Sequence, residues 1–306
     1  MNVREWALIA FTILAQMSVG SFLVFVVVHF YATRKEGIEE ADRMGDRALL
    51  AIGPVMVLGL LASLFHLGSP LTAYRAVTNL GSSWLSREIF FGVLFAIFGG
   101  LFAIMQWRKI STAVVRNVIA WIAAIVGVVF IYSMSRVYIL PIQPTWNTLA
   151  TPLLFFTTTL LLGALTMGAA YVANYAYVER KEPDCADVQC GLMRDVIRWI
   201  AVASIILVGI ELVVLPVYLS SLAASSDEAV LSASLFVSEY GIVFVVRLIL
   251  AFIGAGIFGI FLYQNAQSPG RERVLGNLVY GAFALVLVAE VMGRFLFYAT
   301  QVQIGM

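Results

Sequence analysis

Charge, cysteine and histidine are all scarce in this 306-residue sequence, and each shortage excludes a class of protein. Charged residues make up 12% of the chain, about half of the roughly 25% that is usual in soluble domains. Hydrophobic residues make up 61%, and so few charges cannot keep so apolar a chain in water. The net charge of +1 leaves no excess of basic residues for nucleic acid. The composition therefore predicts an integral membrane protein without a nucleic-acid partner.

The few cysteines and histidines limit the metal centres that this protein can hold. Cys185 and Cys190 are the only cysteines, and an iron–sulfur cluster needs about four ligands. The only histidines are His29 and His66. They lie near the ends of the first and second predicted spans, which run in opposite directions, and so near opposite faces of the membrane. They cannot ligate one haem iron across a hydrocarbon core about 30 Å thick, and no HExxH-like spacing is present. We therefore expect no haem, no iron–sulfur cluster and no metal site in this chain.

Long apolar runs dominate the sequence instead. A membrane-spanning helix needs about 20 mostly apolar residues, and the runs are continuous rather than alternating, which favours helices over barrel strands. The predicted spans lie near residues 6–31, 48–67, 88–107, 115–135, 149–178, 196–222, 240–264 and 274–299. We expect an all-α integral membrane protein, a single domain over residues 1–306 that forms a bundle of eight transmembrane helices. The first span is expected to be retained rather than cleaved as a signal peptide.

Lysine and arginine are distributed unevenly between the two sides of this predicted bundle. Most of the 19 basic residues fall in the loops that follow the first, third, fifth and seventh spans. The other side has only Arg4, Arg75, Arg87 and Arg136. Because basic loops stay in the cytoplasm, we expect both termini outside a cytoplasmic (inner) membrane.

Ionisable residues within or at the ends of the spans form a second pattern. Such residues cost free energy in a bilayer and usually mark a functional or paired structural site. Those placed in the outer half are Glu88, Arg136, Glu211, Arg247, Glu290 and Arg294. This one-sided distribution suggests a polar pocket that opens on the outer face. The i,i+4 spacing of Glu290 and Arg294 also suits a pair that neutralises itself on one helix.

The segment between the second and third predicted spans carries the most hydrogen-bonding and aromatic residues. Gly68 and Pro70 are expected to end the second helix and to hold His66 in its last turn at the outer boundary. The ordinary pKa of histidine is about 6.5, so a histidine at this boundary can exchange a proton with a quinol hydroxyl. Glu88 is a second candidate proton acceptor. A single interfacial histidine is also compatible with a structural role.

Several motifs in these segments resemble one known family. They are HLGSPLTAYRAVTNLGSSWLSREI from His66 to Ile89, Arg136-Val-Tyr138, Pro144-Thr-Trp146 with Thr151-Pro152, and the C-terminal stretch Ala289–Tyr298. Together they are similar to the membrane anchor subunit of anaerobic dimethyl sulfoxide reductase, and the resemblance covers almost the whole chain.

The resemblance implies a function, a substrate and partners. The family's anchor binds menaquinol as a substrate and holds a four-cluster ferredoxin-like iron–sulfur subunit, and through it a molybdopterin catalytic subunit, on the outer face. His66 and Glu88 match positions of the family's quinol site. Members often have a basic residue two places after the HLGS-Pro proline, where this sequence has Thr72. Arg75, about one helical turn further on, is the candidate to supply that charge. The motifs add Tyr138 and Trp146 to the outer polar cluster.

Three alternatives to a quinol-oxidising anchor follow from the same residues. A related anchor of the polysulfide reductase type, working toward quinone reduction, would need no different side chains. A purely structural anchor would lack a quinone site. A transporter is disfavoured because transporters commonly build their site near the midplane, whereas these charges lie toward one face. The terminal acceptor is chosen by the catalytic subunit and is not encoded in this chain.

Overall fold

The computed structural model describes residues 3–66, 78–181 and 186–304, without the side chains of Val3, Arg4, His66 and Ala186. Within these ranges the chain is almost entirely helical and forms no strand. Eight of the described segments are long and apolar enough to cross a membrane. The predicted eight-helix membrane bundle is therefore confirmed.

Eleven α-helices build the described part of this bundle. They are α1 (Val3–Glu36), α2 (Ile38–Gly45), α3 (Gly53–His66), α4 (Trp84–Arg108), α5 (Ala113–Val137), α6 (Ala150–Lys181), α7 (Ala186–Ala223), α8 (Asp227–Ser238), α9 (Gly241–Ala251), α10 (Phe258–Asn265) and α11 (Glu272–Ala299). A 3-10 turn at Ala48–Ala51 connects α2 to α3, and a π-helical turn at Phe252–Ile257 connects α9 to α10, so that each pair forms one span.

Several helix bounds differ from the predicted spans for a physical reason. Hydropathy detects the apolar part of a helix, whereas α7 begins at Ala186, ten residues before the predicted start, with a polar segment. There Gln189 donates hydrogen bonds to the backbone and carboxylate oxygens of Glu40. The short helix α2 buries Ala41 and Met44, and its Asp42 bonds the buried side chains of His29 and Gln106. Polar partners, rather than apolar composition, stabilise these parts.

The bundle has two ends, and contacts between helix ends define them. At the end that we call the site face, Trp6 stacks on Phe295 with ring centroids 5.9 Å apart, and the amide of Ile304 donates to the carbonyl of Ile142 over 3.1 Å. The start of α1 and the end of α11 therefore lie at the same face. At the opposite face, the end of α1 meets the start of α7 through Lys35 and Asp195. Which face lies outside the cell stays a prediction.

Helix α1 lies at the centre of the bundle and packs closely on α6. The crossing point is formed by Gly20 and Gly163, where a Cβ atom on either glycine would overlap the backbone of the other helix. Small residues allow such close approach between membrane helices. This crossing fixes the height of α1 relative to α6, and with it the positions of the polar side chains that both helices carry at the site face.

His29 belongs to a polar network at the opposite face. Its Nε2 atom lies 2.9 Å from Asp42 Oδ1, and Lys109 lies 2.7 Å from both Asp42 and Asp46. Gln106 donates to the same two carboxylates. The network connects α1, α2 and α4, so the position of His29 has a structural explanation.

Candidate functional site

Four charged side chains from three helices are buried together toward the site face. Glu211 of α7, Arg247 of α9, and Glu290 and Arg294 of α11 are exposed by only 2–6% each. We call these four residues the buried charge cluster. Charged residues are almost never so fully buried unless they are paired, so the contacts of each one decide what the cluster can do.

Arg247 and Glu211 form a buried ion pair between α9 and α7. The Arg247 Nη2 atom donates to Glu211 Oε1. The neighbouring residue Gly293 leaves room for this arrangement, because a Cβ atom there would lie 2.7 Å from Arg247 Nη2. The glycine of α11 is therefore needed where the arginine side chain crosses that helix.

Glu290 and Arg294 turn toward other helices instead of pairing with each other. Glu290 Oε2 accepts a hydrogen bond of 2.7 Å from Thr158 Oγ1, and Arg294 Nη2 donates to Gln16 Oε1 over 2.6 Å. The Arg294 guanidinium also lies 3.9 Å from the ring centroid of Phe155. The i,i+4 spacing thus does not produce the direct pair that it would allow, because partners on α1 and α6 are closer.

The cluster keeps unused hydrogen-bonding capacity around a small cavity. Within the described ranges, Glu211 Oε2, Glu290 Oε1, Arg247 Nε and Arg294 Nε have no hydrogen-bond partner. A cavity of about 50 Å³ is bordered by Arg247, Glu290 and Arg294. The Glu211 carboxyl also interacts electrostatically with that of Glu290, and a proton on one of two neighbouring acids relieves their repulsion. The arrangement can therefore hold a proton between two acids.

Aromatic side chains adjoin the cluster. The hydroxyl groups of Tyr138 and Tyr298 lie 2.6 Å apart. Trp146 stacks on Phe297 with centroids 5.2 Å apart and an interplanar angle of 13°, and its indole N–H donates to the Phe297 carbonyl over 2.8 Å. The predicted residues Tyr138 and Trp146 therefore both contact the end of α11, which also carries Arg294.

Glu88 is a further acidic residue near the two tyrosines. It occupies the first turns of α4, which begins after Ser83, whose side chain accepts a hydrogen bond from the Ser86 amide. The Glu88 side chain is buried, with 6% exposed, and interacts electrostatically with Tyr138 and Tyr298. Acidic and phenolic groups therefore continue from the buried charge cluster to the start of α4.

Arg136 lies at the rim of this region rather than in the cluster. Its guanidinium carbon is 5.1 Å from the ring centroid of Trp84, and that of Arg87 is 4.3 Å from the same ring. Trp84 in turn packs edge-on against Tyr132. Arg136 therefore supports the start of α4, next to Glu88.

Two predicted site residues fall where the structure gives no side chain. Helix α3 ends at His66, but the His66 side chain and the segment 67–77, with Thr72 and Arg75, lie outside the described residues. Their roles stay predictions. In the ranges that are described, no three His, Cys, Asp or Glu side chains come together as a metal site.

Two partners of the cluster were not predicted from the sequence. Gln16 and Thr158 are buried and bond Arg294 and Glu290 directly. Both are uncharged, so a search for ionisable residues does not find them. The sequence feature that could have identified them is an amide side chain and a row of threonines within apolar spans. Uncharged polar groups in a bilayer also need hydrogen-bond partners.

The fold and the site together define a multi-pass membrane protein in which Glu88 and the buried charge cluster lie toward the site face. A family model described as "DMSO reductase anchor subunit (DmsC)" matches residues 1–300, so the chain belongs to the DMSO reductase anchor subunit family. The family identifies the chain as an anchor subunit of a multi-subunit dimethyl sulfoxide reductase-type complex, which implies catalytic and iron–sulfur partner subunits.

Similar proteins agree with this family over the full length. The chain is 31% identical to "Anaerobic dimethyl sulfoxide reductase chain YnfH" of Escherichia coli (strain K12), over 99% of this chain and 97% of the relative. It is 29% identical to a component of the anaerobic dimethyl sulfoxide reductase of Haemophilus influenzae, over 100% of this chain and 98% of the relative. A shorter match, 34% identity over 84 residues, is to a subunit of the sulfite dehydrogenase of Allochromatium vinosum and covers 28% of this chain and 26% of that relative.

Proposed function

We propose that this anchor subunit oxidises menaquinol at the site face and passes the electrons to an iron–sulfur partner subunit. Oxidation of a quinol releases two protons and two electrons, so the site needs proton acceptors and a nearby electron acceptor. The anchor supplies the proton acceptors, and the docked subunit supplies the electron acceptor. The observation that supports the proposal most is the buried carboxyl group of Glu88, which lies beside the Tyr138–Tyr298 pair at the site face. The chain's membership of the anchor subunit family adds to this support.

His66 and Glu88 are the proposed acceptors for the two protons. Helix α3 ends at His66, and α4 begins at Trp84, so the two residues border the same segment at the site face. A histidine titrates close to neutral pH, and a carboxyl group at a site entrance can act as a general base. Arg75, within that segment, is proposed to orient the quinol oxygen.

The quinol ring is proposed to bind between the end of α3 and the start of α4 rather than inside the buried charge cluster. The cluster's cavity of about 50 Å³ has room for water but not for a naphthoquinol. Small-molecule ligands usually occupy pockets of about 300–1,000 Å³. A separate apolar cleft of about 170 Å³ lies between α1, α3 and α4, beside Met56, Leu60 and Phe95. This cleft is suited to part of the isoprenoid tail.

The buried charge cluster is proposed to take up protons released at this site. Arg294 interacts electrostatically with Tyr138 and Tyr298, which connects the cluster to the neighbourhood of Glu88. The Glu211–Glu290 carboxyl pair can hold one proton. In an anchor without a quinone site the same groups would serve packing alone. The variant Gly293→Ala, whose new Cβ atom would displace the Arg247 guanidinium, separates the two cases through its ratio of menaquinol-driven to viologen-driven turnover.

The partners and the side of the membrane complete the proposal. The electrons are proposed to pass to a four-cluster ferredoxin-like subunit and then to a molybdopterin subunit, both at the outer face of the cytoplasmic membrane. Protons and electrons then leave at the same face, so quinol oxidation is electrically neutral across the anchor. A membrane potential generated by menaquinol oxidation in vesicles that contain the purified complex would contradict this arrangement.

A second candidate is an anchor that works toward quinone reduction, of the polysulfide reductase type. The observation that favours it is the partial similarity to a protein named for a dehydrogenase that acts on sulfite. The full-length relatives are named for a reductase, which favours quinol oxidation. Turnover of the complex with menaquinol and with menaquinone, each measured separately, distinguishes the two directions.

The replacement of Glu88 by glutamine tests the proposal. In the purified complex, Glu88→Gln should lower menaquinol-driven turnover by about 100-fold, the lower end of what a general base contributes. Turnover driven by a reduced viologen dye, which bypasses the anchor, should be unchanged. The matched control is Glu239→Gln, which removes an exposed acid at the same face and should alter neither activity. Normal menaquinol turnover in the Glu88 variant would refute its role as proton acceptor.

A further inference from the structure

A polar cavity of about 530 Å³ lies at the opposite face, far from the proposed quinol site. It is bordered by the end of α1, the first turns of α7 and the segment after α10. Its charged residues are Lys35, Arg194, Asp195 and Arg198. None of them takes part in the function proposed above, so their concentration in one open cavity needs its own explanation.

The contacts of these residues leave positive charge unused. Lys35 pairs with Asp195, and Arg194 interacts electrostatically with Glu272 while its Nε donates to the Ala266 carbonyl over 3.0 Å. Among the described residues, three basic groups thus face two carboxylates. One formal positive charge is in excess, which matches the single negative charge of a phosphodiester.

Arg198 is the residue that carries this excess. Its guanidinium carbon lies 5.5 Å from the ring centroid of Tyr263, and in the part of the chain that the structure describes it pairs with no carboxylate. The planar guanidinium fork is well suited to two phosphate oxygens at once. The side-chain amide of Gln267 borders the same cavity and can donate to a further oxygen.

The surroundings of the cavity favour a lipid as the source of the phosphate. Next to Arg198, Trp199 is 68% exposed, and on α10 the apolar side chains of Ile260 and Phe261 are 49% and 47% exposed. Helices α7 and α10 pack against each other, so these exposed apolar side chains lie on the same two helices as Arg198 and Tyr263. Exposed aromatic residues are typical of the headgroup level.

We infer that this cavity binds the phosphodiester headgroup of an anionic phospholipid, whose acyl chains lie along Trp199 and Phe261. Basic pockets between membrane helices are suited to such headgroups. Bound there, the lipid bridges the end of α1, the start of α7 and the end of α10. Free inorganic phosphate has the same headgroup chemistry but has no acyl chains to contact these exposed apolar side chains.

The test is native mass spectrometry of the full chain in detergent, titrated with phosphatidylglycerol and, separately, with phosphatidylcholine. Phosphatidylglycerol should bind more tightly, since only its headgroup carries a net negative charge. Arg198→Gln should weaken its binding about fivefold, and the double variant Arg194→Gln/Arg198→Gln about 30-fold. Each factor corresponds to the loss of one basic contact with the headgroup. The single variant should fold normally, because the Tyr263 ring is the one interaction partner of Arg198 among the described residues. Its result therefore stands even if the double variant misfolds.

The matched control is Arg180→Gln/Lys181→Gln, which removes two exposed charges at the same face and should change the affinity less than about twofold, because exposed surface charges contribute little. Equal affinities for the two lipids, unchanged binding by the Arg198 variant, or an equal loss in the control would each overturn the inference. Displacement of phosphatidylglycerol by a millimolar excess of inorganic phosphate would also overturn it, since free phosphate would then be the ligand.

Discussion

The buried ion pair between Arg247 and Glu211 makes the strongest prediction about the energetics of the site face. The two residues are only 6% and 3% exposed, so water cannot compensate either charge when its partner is removed. Arg247→Met should therefore lower the free energy of unfolding by about 3–5 kcal/mol, the usual cost of an uncompensated buried charge. Methionine fills a similar length without a charge.

The double variant Arg247→Met/Glu211→Met should recover most of that loss, because it removes the charge that the single variant leaves unpaired. The assay is unfolding of the chain in mixed micelles with a rising fraction of sodium dodecyl sulfate, followed by tryptophan fluorescence. Arg273→Met, at an exposed position, is the control and should change stability by less than about 0.5 kcal/mol. Equal stability of the Arg247 variant and the unmodified chain, or a double variant as unstable as the single one, would refute the reasoning.

Three further predictions concern packing and the proposed site. Gly163→Ala should destabilise the bundle by about 1–3 kcal/mol in the same unfolding assay, because its Cβ would overlap the backbone of α1. Gly100→Ala, whose Cβ would meet no atom within 4 Å, is the control, and equal stability of the two variants would contradict the crossing. Gly293→Ala should displace the Arg247 guanidinium and reduce menaquinol-driven turnover of the complex while the viologen-driven rate stays constant; an unchanged ratio of the two rates would count against a role for the cluster. His66→Ala should lower menaquinol-driven turnover by about 100-fold, again without effect on the viologen-driven rate, and an active variant would assign His66 a structural role.

The number of spans could be predicted from the sequence because bilayer thickness directly sets the length of an apolar run. The exact helices could not. Helix α2 is amphipathic and short, and the first turns of α7 are polar, so neither has the composition of a span. Their positions depend on contacts such as Gln189 with Glu40, which join segments far apart in sequence.

The members of the buried charge cluster could be predicted because a charge in an apolar run is conspicuous. Their pairing could not, because it depends on how each helix is rotated about its axis. The spacing of Glu290 and Arg294 allowed a direct pair, yet the rotation of α11 directs the two side chains to Thr158 and Gln16. Uncharged partners of this kind give only a weak signal in an apolar sequence.

The central claim is that this anchor binds a quinone, and titration of the full chain in lipid nanodiscs with a short-tailed menaquinone tests it most directly. Trp84 and Trp146 lie at the site face, one near Arg136 and the other on Phe297, so a bound quinone ring should quench their fluorescence. We predict quenching that saturates at one quinone per chain and that weakens in the Glu88→Gln variant. Quenching that rises linearly without saturation, and equally in both proteins, would contradict the claim and leave a purely structural anchor.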